Sequence, residues 1–271
     1  MRYIEFKISS DEDVELPFFI GSMLRGAFGA SLKETVCINP SYECEGCFAQ
    51  DNCIYYDFFE AKNRWHDYRF DFALRPERLT FGLHIFNEAC EKYPCILSAL
   101  HRMLTRKGLG RDKSRFENFT ITANGERIYD GEFANEPLTP KNFQIDSYCP
   151  AVRVEFVTPM RMKKHGRLLR PDDVGIEDVL HSLKQKARHY EAGAGQDTEM
   201  PQIVEKHFRY HDITRYSNRQ KTKMRIGGVM GSMVLKNVTP YAYRLLKLGE
   251  IVGVGKLGTF GLGKIKVEDL V

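Results

Sequence analysis

Apolar and charged residues alternate at the start of the chain. Tyr3, Phe6 and Ile8 stand among charged neighbours, which predicts a strand over Arg2–Ile8. After Pro17 an apolar segment runs from Phe18 to Val36. Ile20, Met23, Leu24, Ala27, Phe28 and Leu32 fall on one helical face, while Gly21, Gly26 and Gly29 weaken the helix and let another element approach. Arg78–Phe86 alternates again and predicts a second strand. Asn87 can cap a helix reaching about Arg106, with Cys95, Leu97, Leu100 and Leu104 on its face and Gly108 and Gly110 beyond its end. Residues 116–121 and 127–133 predict a hairpin around Asn124-Gly125. The order strand, helix, strand, helix, strands fits a ferredoxin-like α+β half. Residues 136–140, with two prolines, form a plausible connector.

The second half repeats the pattern. Ala151–Thr158 predicts a strand stopped by Pro159. A helix follows from Gly175 or Ile176 to about Tyr190, with Ile176, Val179, Leu180 and Leu183 packing inward. Lys184, Lys186 and Arg188 crowd its last turns, where cations suit the helix dipole. Residues 191–201, rich in glycine and polar side chains, predict a mobile loop. Residues 225–238 read as a strand region interrupted by Gly227-Gly228 and Gly231. Thr239-Pro240 opens a final helix, and 264–267 alternates as a terminal strand. The expectation is an α+β chain of two ferredoxin-like halves, 1–140 and 141–271, the first carrying an inserted loop over 37–53.

A chain of 271 residues with 42% hydrophobic and 28% charged content can bury a core. It contains no run of 18 apolar residues, and its N-terminus lacks a signal-peptide core, so a cytoplasmic protein without membrane spans is expected. The net charge of +4 is unevenly placed: residues 151–271 hold 22 Lys and Arg against 13 Asp and Glu. That imbalance favours a polyanionic partner for the second half, or an unevenly charged solvated surface.

Two basic segments change the picture. Residues 160–167 include Arg161, Lys163, Lys164, His165 and Arg167. Residues 206–225 carry Lys206, Arg209, Arg215, Arg219, Lys221, Lys223 and Arg225, interleaved with Phe208, Tyr210 and Tyr216 and opposed only by Asp212. Guanidinium groups grip phosphates bidentately and stack on bases, and tyrosines stack too. The pattern fits nucleic acid, with a solvated edge strand as the plain alternative. The aromatics of 54–59 and 65–72 can stack on bases but fit a core better. His66, beside Trp65 and Asp67, reads as a base held by a carboxylate or as an ordinary structural histidine.

The tail is dense in glycine, at Gly253, Gly255, Gly258, Gly261 and Gly263. It contains G-x-G-x-x-G, yet the fingerprint needs a helix after it and an acidic residue about 20 positions on, whereas only eight residues follow Gly263 and 264–267 alternates like a strand, so a dinucleotide site is not expected. Its backbone N–H groups, with Lys256 and Lys264, can hold a phosphate backbone; otherwise it is a simple turn. The spacing Cys37-x6-Cys44-x2-Cys47-x5-Cys53 offers four thiolates to one metal, zinc before an iron–sulfur cluster, with reduced thiols or small disulfides as the alternative. A closed four-thiolate site would be structural.

The glycine-rich tail resembles the loop that closes RAMP-type CRISPR proteins, most nearly the Cas-six endoribonucleases. Leu24-Arg25-Gly26-Ala27-Phe28-Gly29, the cysteine cluster, Thr158-Pro159-Met160-Arg161-Met162-Lys163, and residues 215–220 followed by Gly227-Gly228 match in order. The resemblance implies tandem ferredoxin-like (RRM-like) domains and cleavage of precursor CRISPR RNA without a metal. The substrate 2′-hydroxyl attacks the adjacent phosphate, leaving a cyclic phosphate and a 5′-hydroxyl. The general-base histidine of many members lies on or just after the first helix, but here no histidine precedes His66. His165 and His211 are the expected alternatives, with Arg25 as a cation for a histidine-free route. Arg161, Lys163, Lys164, Arg167, Arg215, Tyr216, Arg219, Lys221, Lys256 and Phe260 are the expected RNA contacts. The implied partners are CRISPR repeat RNA and other CRISPR-associated proteins. A guide-RNA-binding subunit without activity, and a zinc-stabilised scaffold, are the competing readings.

Overall fold

The computed structural model describes residues 1–193, 195, 199–217 and 221–270. Residues 194 and 196–198 of the expected 191–201 loop, and Arg219, lie outside the described residues. The chain divides into two compact units: Arg2–Lys141, and the remainder together with Met1.

The N-terminal unit contains β1 (Arg2–Ser10), α1 (Gly21–Val36), β2 (Tyr68–Asp71), β3 (Thr80–Phe86), α2 (Tyr93–Arg102), β4 (Phe119–Ala123), β5 (Glu126–Asp130) and the short β6 (Glu132–Phe133). Its strands lie in the order β2-β3-β1-β4-β5-β6, antiparallel throughout. The segment β4-β1-β3-β2 is the ferredoxin-like order. Alternation in β1 turns Ile4, Phe6 and Ile8 into the core, and Phe6 stands between Leu83 and Ala123. Leu24, Phe28 and Leu32 of α1 and Ile96, Ala99 and Leu100 of α2 belong to the same cluster. Burying each of the leucine, isoleucine and phenylalanine side chains fully stabilises by about 1.5–3 kcal/mol.

The helix expected from Asn87 begins instead as a 3-10 segment, Asn87–Lys92, and becomes α-helical only at Tyr93. Pro94 explains the change: it has no N–H to bond the Cys90 carbonyl, which accepts from Tyr93 instead.

The C-terminal unit contains β7 (Val152–Met160), β8 (Lys163–Lys164), β9 (Arg167–Leu168), α3 (Ile176–His189), β10 (Gln202–His211), β11 (Thr214–Ser217), β12 (Thr222–Arg225), β13 (Gly228–Lys236), α4 (Pro240–Val252) and β14 (Ile265–Asp269). The main sheet runs β10-β13-β7-β14, again antiparallel and ferredoxin-like, and β8–β9 and β11–β12 form two small hairpins. Val152, Val154 and Phe156 are buried, as are Val179, Leu180 and Leu183 of α3 and Leu245 and Leu246 of α4. Thr239 caps α4 by accepting from the Ala242 N–H at 3.1 Å.

Pro159 does not stop β7, which continues to Met160. The register against β13 shifts between Val229 and Gly231, so Pro159 falls in a bulge where no ladder N–H is needed. Among the described residues no helix is long and apolar enough to cross a membrane.

Candidate nucleic-acid interface

The glycine-rich loop joins α4 to β14, and its shape depends on positive φ and close backbone approaches that a Cβ would obstruct. Gly263 has φ +76, and a Cβ there would stand 1.9 Å from the Val254 carbonyl oxygen. Gly255 has φ +75, and its Cβ would stand 2.6 Å from the Arg161 carbonyl oxygen. Between these points Val254 N–H donates to the Gly263 carbonyl at 2.8 Å, and Lys256 N–H to the Arg161 carbonyl at 2.9 Å. Gly253 takes φ +70 just past α4, Gly258 opens a 3-10 turn (Gly258–Phe260), and Gly261 closes it at φ +78.

Three side chains tie this loop to the unit. Thr158, fully buried, donates to the Gly261 carbonyl at 2.8 Å and accepts from the Lys264 N–H at 2.9 Å. Ser182 Oγ accepts from the Gly255 N–H at 2.9 Å. Lys186, only 5% exposed, donates to the Val252 and Gly253 carbonyls, each at 2.8 Å. Sequence reasoning read Lys186 as a cation suiting the end of its own helix; the structure places it inside the unit, at the C-terminus of α4.

Expected RNA contacts gather on this frame. Arg161 Nη1 donates to the Gly227 carbonyl at 2.7 Å, linking the end of β7 to the Gly227-Gly228 segment. The guanidinium of Arg215, on β11, lies 4.4 Å from the Phe260 ring centroid. Lys256 is exposed on the loop and Lys221 on the turn after β11. Tyr216 pairs with Lys223 across the β11–β12 hairpin. His211 ends β10 opposite Gly228. Burial holds its imidazole below the usual range and Arg209 adds to the shift, so the ring is neutral at neutral pH. Its Nε2 is buried and has no hydrogen-bond partner among the described residues.

Residues 163–167 of the 160–167 segment occupy the β8–β9 hairpin. His165 sits at its turn with φ +51, exposed, and Lys163 and Arg167 are exposed beside it. Lys164 is paired with Asp178 at 3.0 Å and Glu177 at 3.7 Å, in the first turn of α3. Its hydrogen bond to Asp178 raises its pKa. In the N-terminal unit, Arg25 stacks on Phe59 at 4.6 Å. It lies near enough to His66 for its charge to help depress that imidazole, after the larger effect of burial. His66 Nδ1 is 2.9 Å from the Asp57 carbonyl, which in the neutral ring puts the lone pair on Nε2. Among the described residues no three His, Cys, Asp or Glu side chains come together as a ready-made metal cage.

Comparison with known proteins bears on both units. The AF_1859_N N-terminal domain model matches residues 1–142, and the model for the CRISPR-associated endoribonuclease Cas6 matches residues 154–265. The solved Cas6 (TTHB231) product complex aligns over 97% of each chain, with TM-score 0.58 and 14% identity. Thermus thermophilus Cas6 (TTHB231) aligns over 98% of this chain and 97% of its own, with TM-score 0.56 and 13% identity. A structure described as an RAMP protein binding different RNA substrates aligns over 99% and 100%, with TM-score 0.54 and 11% identity. The chain carries the AF_1859_N N-terminal domain over just more than half of its length, its C-terminal unit matches the Cas6 model, and it shares the fold of the solved Cas6 and RAMP structures. An uncharacterized protein of Archaeoglobus fulgidus is 24% identical over 93% of each chain. The Cas6 match spans β7 through the first residue of β14, so the glycine-rich loop, Arg161, His211 and Arg215 all lie inside it. The cysteine loop and Arg25 lie in the other match.

Thr158, Ser182 and Lys186 carry the loop and were not among the expected site residues. A signal for Lys186 was present: it lies three residues after Leu183, on the face that packs inward.

Proposed function

We propose that this protein is a Cas6-type, metal-independent endoribonuclease that cuts CRISPR repeat RNA. The observation that carries the reading is one constellation within the Cas6 match. A loop locked by Gly255 and Gly263 touches Arg161, carries Phe260 beneath Arg215, and is joined through Arg161 and Gly227 to the end of β10, where the neutral His211 sits. The relatives described as a product complex and as binding RNA substrates are consistent with it.

In the proposed reaction the 2′-hydroxyl of one nucleotide attacks the phosphate that follows. The bond to the 5′-oxygen breaks, leaving a 2′,3′-cyclic phosphate and a 5′-hydroxyl. A base takes the 2′ proton, an acid supplies one to the leaving oxygen, and a cation stabilises the phosphorane. In the C-terminal unit His211 fits the base and Arg161, Arg215 and Lys256 the cations. His165, at the exposed hairpin turn, is a second imidazole. In the N-terminal unit Arg25 is the cation beside His66. A second reading is a subunit that binds guide RNA without cutting it. The absence of a histidine before His66 and the packing of Arg25 against Phe59 favour that alternative.

End-labelled repeat RNA in excess EDTA separates the two. A single cut is expected, and a 2′-deoxy nucleotide at the cut site should abolish it. Binding without cleavage would leave the guide-binding subunit. Because the pKa of His211 is lowered, its ring stays neutral below the pH at which an ordinary histidine protonates. Cleavage should therefore hold from neutral pH downward and fall only as pH drops through that lowered value. His211→Gln should slow the cut at least about 100-fold and remove this limb. Wild-type rates in that variant would assign the base elsewhere, with His165→Gln and His66→Gln as the next tests.

Arg215→Ala should weaken RNA binding about tenfold through loss of one cation and its stacking on Phe260. The slope of log affinity against log salt should become shallower by about 0.7, the value for one phosphate contact to a single strand. An unchanged slope would mean that Arg215 holds the loop without touching phosphate.

A further inference from the structure

The segment between α1 and the 3-10 turn Gln50–Asn52 has little to hold it. Residues 37–49 contain no strand or helix, and its large apolar side chains make no core: Ile38 is 69% and Phe48 76% exposed. Yet it is folded around sulfur. Cys37, Cys44, Cys47 and Cys53 all line one cavity of about 230 Å3, joined by Cys95 from α2. The turn Cys44-Glu45-Gly46-Cys47 is closed by the Cys47 N–H to the Cys44 carbonyl at 3.4 Å, with Gly46 at φ +70. That reversal presents both thiols of the C-x2-C pair to the same space. Lys33 lies at the edge, its Nζ 5.0 Å from the ring centroid of Tyr55, which also lines the cavity. All seven cysteines are free thiols.

We propose that Cys37, Cys44, Cys47 and Cys53 bind one zinc ion, and that Cys95 lines the cavity without ligating it. An all-sulfur donor set selects zinc or iron–sulfur over magnesium, calcium or manganese. The four ligands stand around the cavity, Cys37, Cys44 and Cys47 on the irregular segment and Cys53 just after the 3-10 turn, and the irregular segment can close toward Cys53 until each sulfur is about 2.3 Å from the ion. Cys95 is fixed on a regular helix and cannot follow. The four thiols release their protons on binding, and the Lys33 ammonium offsets part of the resulting negative charge. With four sulfurs bound, no position remains for water, so the ion pins the segment to α1 and takes no part in cutting RNA. The proposal stands independently of the RNA reading.

The test uses the full chain, purified without chelator and analysed for metals and inorganic sulfide. About one zinc per chain is expected. Cobalt substitution should give the visible bands of a tetrahedral thiolate site. A strong chelator should lower the melting midpoint by more than about 5 °C. Cys37→Ser and Cys47→Ser should each lose the zinc, whereas Cys95→Ser should keep it. A native chain without metal whose cysteine-loop thiols react freely with an alkylating reagent would overturn the proposal. Iron with inorganic sulfide would overturn the choice of zinc. Loss of metal from Cys95→Ser with retention in Cys37→Ser would overturn the ligand set. If the serine variants do not fold, metal stoichiometry and zinc-dependent thiol protection in the wild-type chain still decide.

Discussion

Gly263→Ala is expected to break the glycine-rich loop and with it RNA binding. A methyl group at 263 would lie 1.9 Å from the Val254 carbonyl oxygen, a backbone atom held in place because Val254 N–H donates to Gly263 at 2.8 Å. Neither partner can yield without opening that bridge. The left-handed backbone adds about 1–2 kcal/mol for any residue with a Cβ. Together the two effects should destabilise the C-terminal unit by roughly 3 kcal/mol or more, lowering its melting midpoint by about 10 °C. Gly166→Ala is the control. It has the same sign of φ, +79, but nothing stands within 4 Å of its would-be Cβ. It should lose only about 1 kcal/mol and keep its RNA affinity. Equal shifts in the two variants would show that the loop is not locked in the way described.

Lys186→Met should have the second-largest effect. The Lys186 ammonium, 5% exposed, donates to the carbonyls of Val252 and Gly253 at 2.8 Å, where α4 hands over to the loop. The C-terminus of a helix carries partial negative charge and unsatisfied carbonyls, and a buried cation answers both. Methionine fills the volume but donates nothing, leaving two inward-facing carbonyls without that partner. A loss of about 2–4 kcal/mol is expected in chemical denaturation. RNA affinity should fall about tenfold even under conditions where the variant is folded, because Gly253 is the first residue of the loop. Normal affinity in a folded, destabilised variant would show that Lys186 stabilises the unit without setting the loop.

Both predictions concern features that local sequence patterns carry only in part. Elements with short-range causes were legible: the alternation of β1, the Asn124-Gly125 hairpin, the inward face of α3 and the capped start of α4. The repeated element order was legible too, and with it the tandem α+β class. What was not legible depends on partners far apart in the chain. The glycine density of the tail is plain, but that Gly255 is pressed against Arg161 and Gly263 against Val254 follows only from folding. Lys164 looks like one cation among several in a basic loop until Asp178, fourteen residues on, takes it up. Pro159 reads as a strand stop because proline removes a ladder donor, and only the register shows a bulge that needs none. Arg215 and Phe260 were both expected at the interface, but their stacking joins residues of two basic or glycine-rich segments that no periodicity connects.

The position of β10 has a practical consequence for any mapping of the RNA surface. It is a border strand of its sheet, ten residues long and exposed along most of its length, with Val204 46% exposed. Glu205, Lys206 and Arg209, together with the irregularity between Ile203 and Glu205, are features that oppose pairing of such a border with a second chain. Alanine or leucine scanning of these cations would remove that protection along with any phosphate contact. Self-association would then register as lost affinity. Charge reversal, such as Arg209→Glu, keeps the border guarded against aggregation while repelling the polyanion, and so isolates the contribution to recognition.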